Sequence, residues 1–195
     1  PAGAVIYYDG AEKAGASITI VDFDNAKSLV IIPPHNSDAD FPLTVSAKTK
    51  DGTSVSAPTV TIIDVIVKNV ADAPVGTDLK TNIDVNEDNQ LNLQSIYTTP
   101  ANLASYDASE ELTVKIELPT GFTIDSGSPF YIENGMYVVK ASDIKAGNIK
   151  INVPEIFSGS ASFDITYVTT EKAVEGDSKT WNTQTVNIFV NPVAD

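Results

Sequence analysis

In Leu43-Thr44-Val45-Ser46-Ala47-Lys48 apolar and polar residues exchange at every step. Phe163-Asp164-Ile165-Thr166-Tyr167-Val168 does the same, with Phe163, Ile165 and Tyr167 on one face and Asp164 and Thr166 on the other. A period of two is that of a strand with one face on a core and the other in water. Such runs recur along the chain and predict strands over 4–8, 17–21, 28–32, 43–50, 59–67, 81–85, 112–118, 137–140, 148–153, 162–170 and 183–190. The run 59–67 is apolar on both faces in places, as a central strand would be. Val30, Ile32, Val45 and Ile63 are expected on an inner face.

Between these runs stand Asp9-Gly10, Asp51-Gly52, Asn134-Gly135 and Ser158-Gly159. Asp-Gly and Asn-Gly supply the positive φ angles of tight hairpins. Helix has little room: residues 94–104 could hold a turn or two, and 142–146 another with Ser142 as its N-cap. Val, Ile and Thr make up 58 residues against 8 Leu, and β-branched side chains suit a pleated surface. Many short strands with such punctuation predict an all-β chain of immunoglobulin-like β-sandwiches.

The chain also repeats itself. Pro1-Ala2-Gly3 matches Pro119-Thr120-Gly121, and Leu29-Val30-Ile31-Ile32-Pro33-Pro34 matches Ile149-Lys150-Ile151-Asn152-Val153-Pro154. Phe41 with Thr44 matches Phe163 with Thr166, and Asn69-Val70-Ala71-Asp72 matches Pro192-Val193-Ala194-Asp195. Residues 73–118 have no counterpart in the first copy. The expected organisation is therefore a partial β-sandwich over 1–72 followed by a complete one over 73–195. The first would be truncated at its N-terminal side, in a piece excised from a longer protein. Its missing strands would leave unpaired edges that invite self-association.

Charge narrows the function. The net charge is −14, and all 12 basic residues are Lys. So acidic a surface repels phosphate backbones and anionic lipid, which argues against nucleic acid and membrane surfaces as partners. No apolar run approaches the ~20 residues that span a bilayer. With no Cys there are no disulfides, zinc-thiolate sites or thiol nucleophiles. His35, the one histidine, reads as a residue of a Pro-Pro-His-Asn loop.

The repeat boundary Val70-Ala71-Asp72-Ala73-Pro74, the early Asn86-Glu87-Asp88, the Pro-x-Gly step at 119–121 and a Thr-rich last strand form a recurring set. On these motifs the chain resembles the cadherin-like or immunoglobulin-like tandem repeats of giant RTX-type adhesins of Gram-negative bacteria, exported by type I secretion. A further element of that family, roughly Asp-x-Asp-Gly-Ser-Glu-x-Leu, stands here as Ser105-Tyr106-Asp107-Ala108-Ser109-Glu110-Glu111-Leu112, with Ser and Ala at its first and fourth positions. The resemblance implies an extracellular, calcium-stiffened spacer of the bacterial cell surface, a setting tied to biofilm, that projects a distal binding domain.

Carboxylates are the chemistry on offer. Asp, Glu and Asn are hard oxygen donors suited to calcium, which takes six to eight of them. Candidate ligands near the boundary are Asp72, Glu87, Asp88, Asp107 and Glu110, with Asp195 serving the next boundary. Asp22 and Asp24 point the same way if their segment is extended, and Asp38 and Asp40 form a second such pair. Any one of these, taken singly, reads as a solvated surface acid. Neither an EF-hand loop nor a Gly-Gly-x-Gly-x-Asp array is present.

The expected function is that of an extender, whose partners are calcium and neighbouring repeats of the same chain. The alternative is a module that binds a glycan or peptide through exposed aromatics such as Tyr8 or Trp181. An enzyme is not expected, because a paired-carboxylate glycosidase is the one route left and no nucleophile motif is present. An ice-binding face would need Thr at a fixed period, and Thr here alternates irregularly.

Overall fold

The computed structural model describes residues 1–15, 17–172 and 177–193. It is almost entirely β, and the chain divides into two compact units, Pro1–Asn69 and Val70–Asp195. No helix among the described residues is long and apolar enough to cross a membrane.

The first unit holds β1 (Val5–Tyr8), β2 (Ala11–Lys13), β3 (Leu29–Ile32), β4 (Phe41–Ala47), β5 (Lys50–Asp51), β6 (Ser54–Val55) and β7 (Thr59–Val65). They form a three-stranded sheet β2-β1-β3 and two ribbons, β4-β7 and β5-β6, all antiparallel. Asp9 and Gly10, both at positive φ, close the β1–β2 hairpin as the Asp-Gly pair predicts. In the β5–β6 hairpin Asp51 pairs with Ser54, so the turn is Gly52-Thr53, one residue later than predicted.

The second unit holds β8 (Asp84–Asn86), β9 (Gln90–Asn92), two 3-10 turns (Leu93–Ile96 and Pro100–Asn102), β10 (Glu110–Glu117), β11 (Thr123–Ile124), β12 (Tyr131–Glu133), β13 (Met136–Lys140), the short helix α1 (Ala141–Lys145), β14 (Lys150–Asn152), β15 (Gly159–Glu171), β16 (Ser178–Thr180) and β17 (Gln184–Asn191). One sheet runs β12-β13-β10-β15-β17-β8, with β16 also on β15; the other runs β11-β14-β9. Among the described residues only β8 joins in parallel, beside β17. Leu112, Val114, Ile116, Phe163, Ile165, Val186 and Ile188 from the large sheet share one core with Leu91, Ile124 and Ile151 from the small one. That is an immunoglobulin-like sandwich, and alternation builds it: every second residue of β10 and β17 is buried.

The two units carry the same turns. Gly3 and Gly121 both lie at positive φ, and a Cβ on either would press on the proline that closes the matching loop, Pro34 or Pro154. The Ala4 amide donates to the Pro1 carbonyl and that of Phe122 to Pro119, while Ser37 donates to Pro34 and Phe157 to Pro154. Val5 pairs with Ile32 and Ile6 with Ile31; the equivalents, Thr123 with Asn152 and Ile124 with Ile151, pair in the same register.

Registers also correct part of the sequence reading. With the Val-Ala-Asp endings superposed, β7 matches β17, and the β4–β7 ladder then puts Leu43, not Phe41, where Phe163 stands. Val30 and Ile32 correspond to the outward Lys150 and Asn152, so Leu29 and Ile31 hold the inner positions. The strand 59–67 is not central: β7 pairs with β4 alone among the described residues. Residues 17–21 form no strand, because the chain turns at Asp22, where φ is +54°. Gly159 begins β15 instead of making a hairpin, and Ser142 lies inside α1, whose N-cap is Lys140.

Inner positions differ sharply in burial. Leu29 is 45% exposed and its equivalent Ile149 0%; Val45 is 38% exposed and Ile165 0%; Ile63 is 48% exposed and Val186 2%. In the second unit Leu91, Leu93, Ile96, Leu103 and Leu112 belong to the core that covers these positions. All five lie within residues 73–118, the stretch without a counterpart in the first unit.

Candidate functional site

Glu110 opens β10 and Glu171 closes β15, directly opposite each other in the ladder. Opposed residues of an antiparallel pair point to the same side of the sheet. Here that side is the core side, shared with Leu112, Val114 and Ile116 on β10 and with Phe163, Ile165 and Tyr167 on β15. Glu110 is 2% exposed and Glu171 6%. The last rung of the interior ladder is thus a pair of carboxylates.

The segment Ala71-Asp72 closes over this end. The Asp72 amide donates to Glu110 Oε1 in a short hydrogen bond, and the Ala71 amide donates to Asp177 Oδ2 at 3.2 Å. The Asp72 carbonyl accepts from Thr169 Oγ1 at 2.9 Å, and the same hydroxyl accepts from Trp181 Nε1 at 2.8 Å. Glu110 Oε2 is buried and accepts no hydrogen bond among the described residues. Among the described residues the ion pairs join Lys27 to Asp9, Lys115 to Glu133 and Lys140 to Glu111, and Glu110 is in none of them.

The other predicted ligands are scattered among structural tasks. Asp107 Oδ1 accepts from the Ser109 amide at 2.9 Å and hydroxyl at 2.5 Å, which folds its own loop. Glu87 Oε1 accepts from the Val193 amide at 2.6 Å and holds the end of the last strand to β8. Asp88 sits at positive φ in the β8–β9 turn, on an open polar groove shared with Asn89, Gln90, Asn92 and Lys150. Asp24 Oδ1 caps the Ala26 amide, and the turn at Asp22 removes the extended geometry that would align Asp22 with Asp24. Asp40 Oδ1 accepts from the Val67 amide at 2.8 Å. Asp195 lies outside the described residues. No group of three or more His, Asp or Glu among the described residues is arranged to hold a metal ion.

Sequence reasoning named Glu110 but missed Glu171 and Asp177. Parity was the available signal: counting by twos from Phe163 through Tyr167 lands on Glu171, one residue beyond the predicted strand end.

Two tyrosines are buried as well. Tyr167 donates its hydroxyl to Tyr97 at 3.3 Å inside the core. Burial pushes both phenols up, Tyr97 well above its ordinary value and Tyr167 to about 12. The aromatics nominated for ligand binding are not free platforms: Tyr8 is half-buried, accepts from the Asp24 amide and packs on Phe23, and Lys179 lies over the half-buried Trp181 ring.

Fold and site together define an immunoglobulin-like β domain. The pattern of the glycosyl hydrolase family 49 N-terminal Ig-like domain matches residues 71–193, and the chain belongs to that family. The matched part is the Ig-like domain, not a catalytic one. No curated protein matches the sequence. Among solved structures, AggA, the major subunit of aggregative adherence fimbriae type I from Escherichia coli, aligns at 12% identity with a TM-score of 0.33, over 63% of this chain and 99% of that one. A likeness so loose bears on neither fold nor function.

Proposed function

We propose that the chain is a segment of an extracellular extender, a string of Ig-like repeats that carries a distal binding domain away from a Gram-negative cell after type I secretion. One observation carries this reading: the two units match in their turns, glycine–proline contacts and strand register. A spacer needs reach and stiffness, and tandem copies of one fold supply reach by repetition. Calcium would add stiffness by neutralising carboxylates in a chain of net charge −14 that has no Arg. The open edges of the first unit would meet a neighbouring repeat or a second chain.

Family membership favours a second reading, an accessory Ig-like module beside a catalytic domain that acts on glycans. The test joins two measurements. Concatenated copies of the second unit, measured by small-angle scattering in calcium, should gain a constant increment in maximum dimension per copy. The same protein should show no binding on a glycan array. Strong glycan binding, or copies that collapse on one another, would favour the accessory module.

A further inference from the structure

We propose that the open edge of β4, with the apolar face beside it, is the acceptor for an extended polypeptide strand of β10's chemistry, supplied by another repeat of the same kind. It rests on the extender reading above, whose contact between neighbours it makes specific.

The second unit shows what such an edge receives. β15 lies between β17 on one edge and β10 on the other, and β10 runs antiparallel to it from Glu110 to Glu117. β4 is the counterpart of β15: its ladder with β7 sets Leu43 against Ile63 as β15 and β17 set Phe163 against Val186. Among the described residues no strand pairs with the other edge of β4. Unpaired backbone groups along such an edge are a template for a further strand.

The side chains fit the same occupant. Leu43, Val45 and Ala47 share one face with Ile63, and all but Leu43 are exposed. In the second unit Leu112, Val114 and Ile116 of β10 join the core on the corresponding face. There Val114 stands opposite Tyr167 and Ile116 opposite Ile165. Carried over to β4, that register sets Val114 beside Ala47 and Ile116 beside Val45, so the apolar face widens by one strand.

Charge favours the same choice. Counting on from Ala47, Lys50 falls at the position of Thr170, which faces Glu111. A strand that begins with two acids, as β10 does, thus enters beside Lys48 and Lys50. Residues 1–69 carry five Lys and eight Asp or Glu, a net −3 of the chain's −14, and residues 70–195 carry the remaining −11. An acidic strand is therefore repelled least by the first unit.

The test titrates the full chain with a fluorescently labelled synthetic peptide of residues 108–120, read by anisotropy. Amide exchange is then mapped with the peptide at about tenfold excess over its Kd. A ligand of the folded form slows exchange of the amides it stabilises by about that factor. The peptide should bind one to one and slow β4 and β7, with β10, β15 and β17 unchanged. Val45→Asp in the chain should weaken binding by about tenfold or more, and so should Ile116→Asp in the peptide, because each sets a charge on the new apolar face. The peptide variant decides the matter if Val45→Asp disrupts the first unit. Val60→Asp, on the opposite face of β7, should leave binding unchanged. No binding, or slowing confined to the second unit, would overturn the proposal. A dimer of the chain that excludes the peptide would also overturn it, because a second copy would then hold the edge. The extender reading fails separately, if concatenated units collapse or bind glycans.

Discussion

Thr169 shows how one hydroxyl ties three segments together. Its side chain has no solvent exposure, donates to the Asp72 carbonyl and accepts from the Trp181 indole. Thr169→Val keeps the shape but strands the part-buried Asp72 carbonyl and Trp181 indole N–H. Leaving such groups unsatisfied costs about 1–3 kcal/mol. Urea denaturation should show that loss, and Thr169→Ser should recover most of it. A neutral Thr169→Val would mean that the Asp72 segment is not held at this point. The acids of this region were only half legible in the sequence. Composition and motif pointed to Glu110, but a charged residue at a core-facing position contradicts the usual polar-out rule, so Glu171 went unread. Asp177 lies outside every predicted strand, and no short spacing announces that its carboxylate accepts from the Ala71 amide.

Among the elements, the long strands were legible because they alternate over many residues. β10 and β17 bury every second side chain, β15 alternates from Phe163 to Tyr167, and the predicted spans overlap the observed ones closely. Strands of two or three residues, such as β9, β11 and β16, have no period to display and exist because a neighbour offers them a ladder. The register of the repeat was legible at Gly3 and Gly121 but slipped by two residues at β4. A shift of two keeps each side chain on its own face, so alternation alone could not detect it. Gly121 is the sharpest test of the shared turn. Its φ is +91°, and an added Cβ would sit 3.1 Å from Pro154 Cγ. Gly121→Ala should therefore cost about 1–2 kcal/mol or more, read by urea denaturation. Gly10→Ala meets no atom within 4 Å and is strained by its backbone alone, so it should be the milder change.

At the scale of the whole molecule, the two units share turns and strand register but differ in how deeply equivalent positions are buried. The second unit has both sheets and a continuous core; the first exposes at Leu29, Val45 and Ile63 what the second buries. Burying one such side chain fully contributes about 1.5–3 kcal/mol, so several half-exposed positions forfeit a sum comparable to a small domain's net stability. Native-state hydrogen exchange on the full chain, at a dilution where it is monomeric, tests this most directly. Paired amides of β10, β15 and β17 should exchange only through global unfolding of the second unit. Those of β4 and β7 should exchange orders of magnitude faster, through a separate and lower-energy opening. Equal, high protection in β4 and β7 of the monomer would contradict the account, because it would make the first unit a complete domain in its own right.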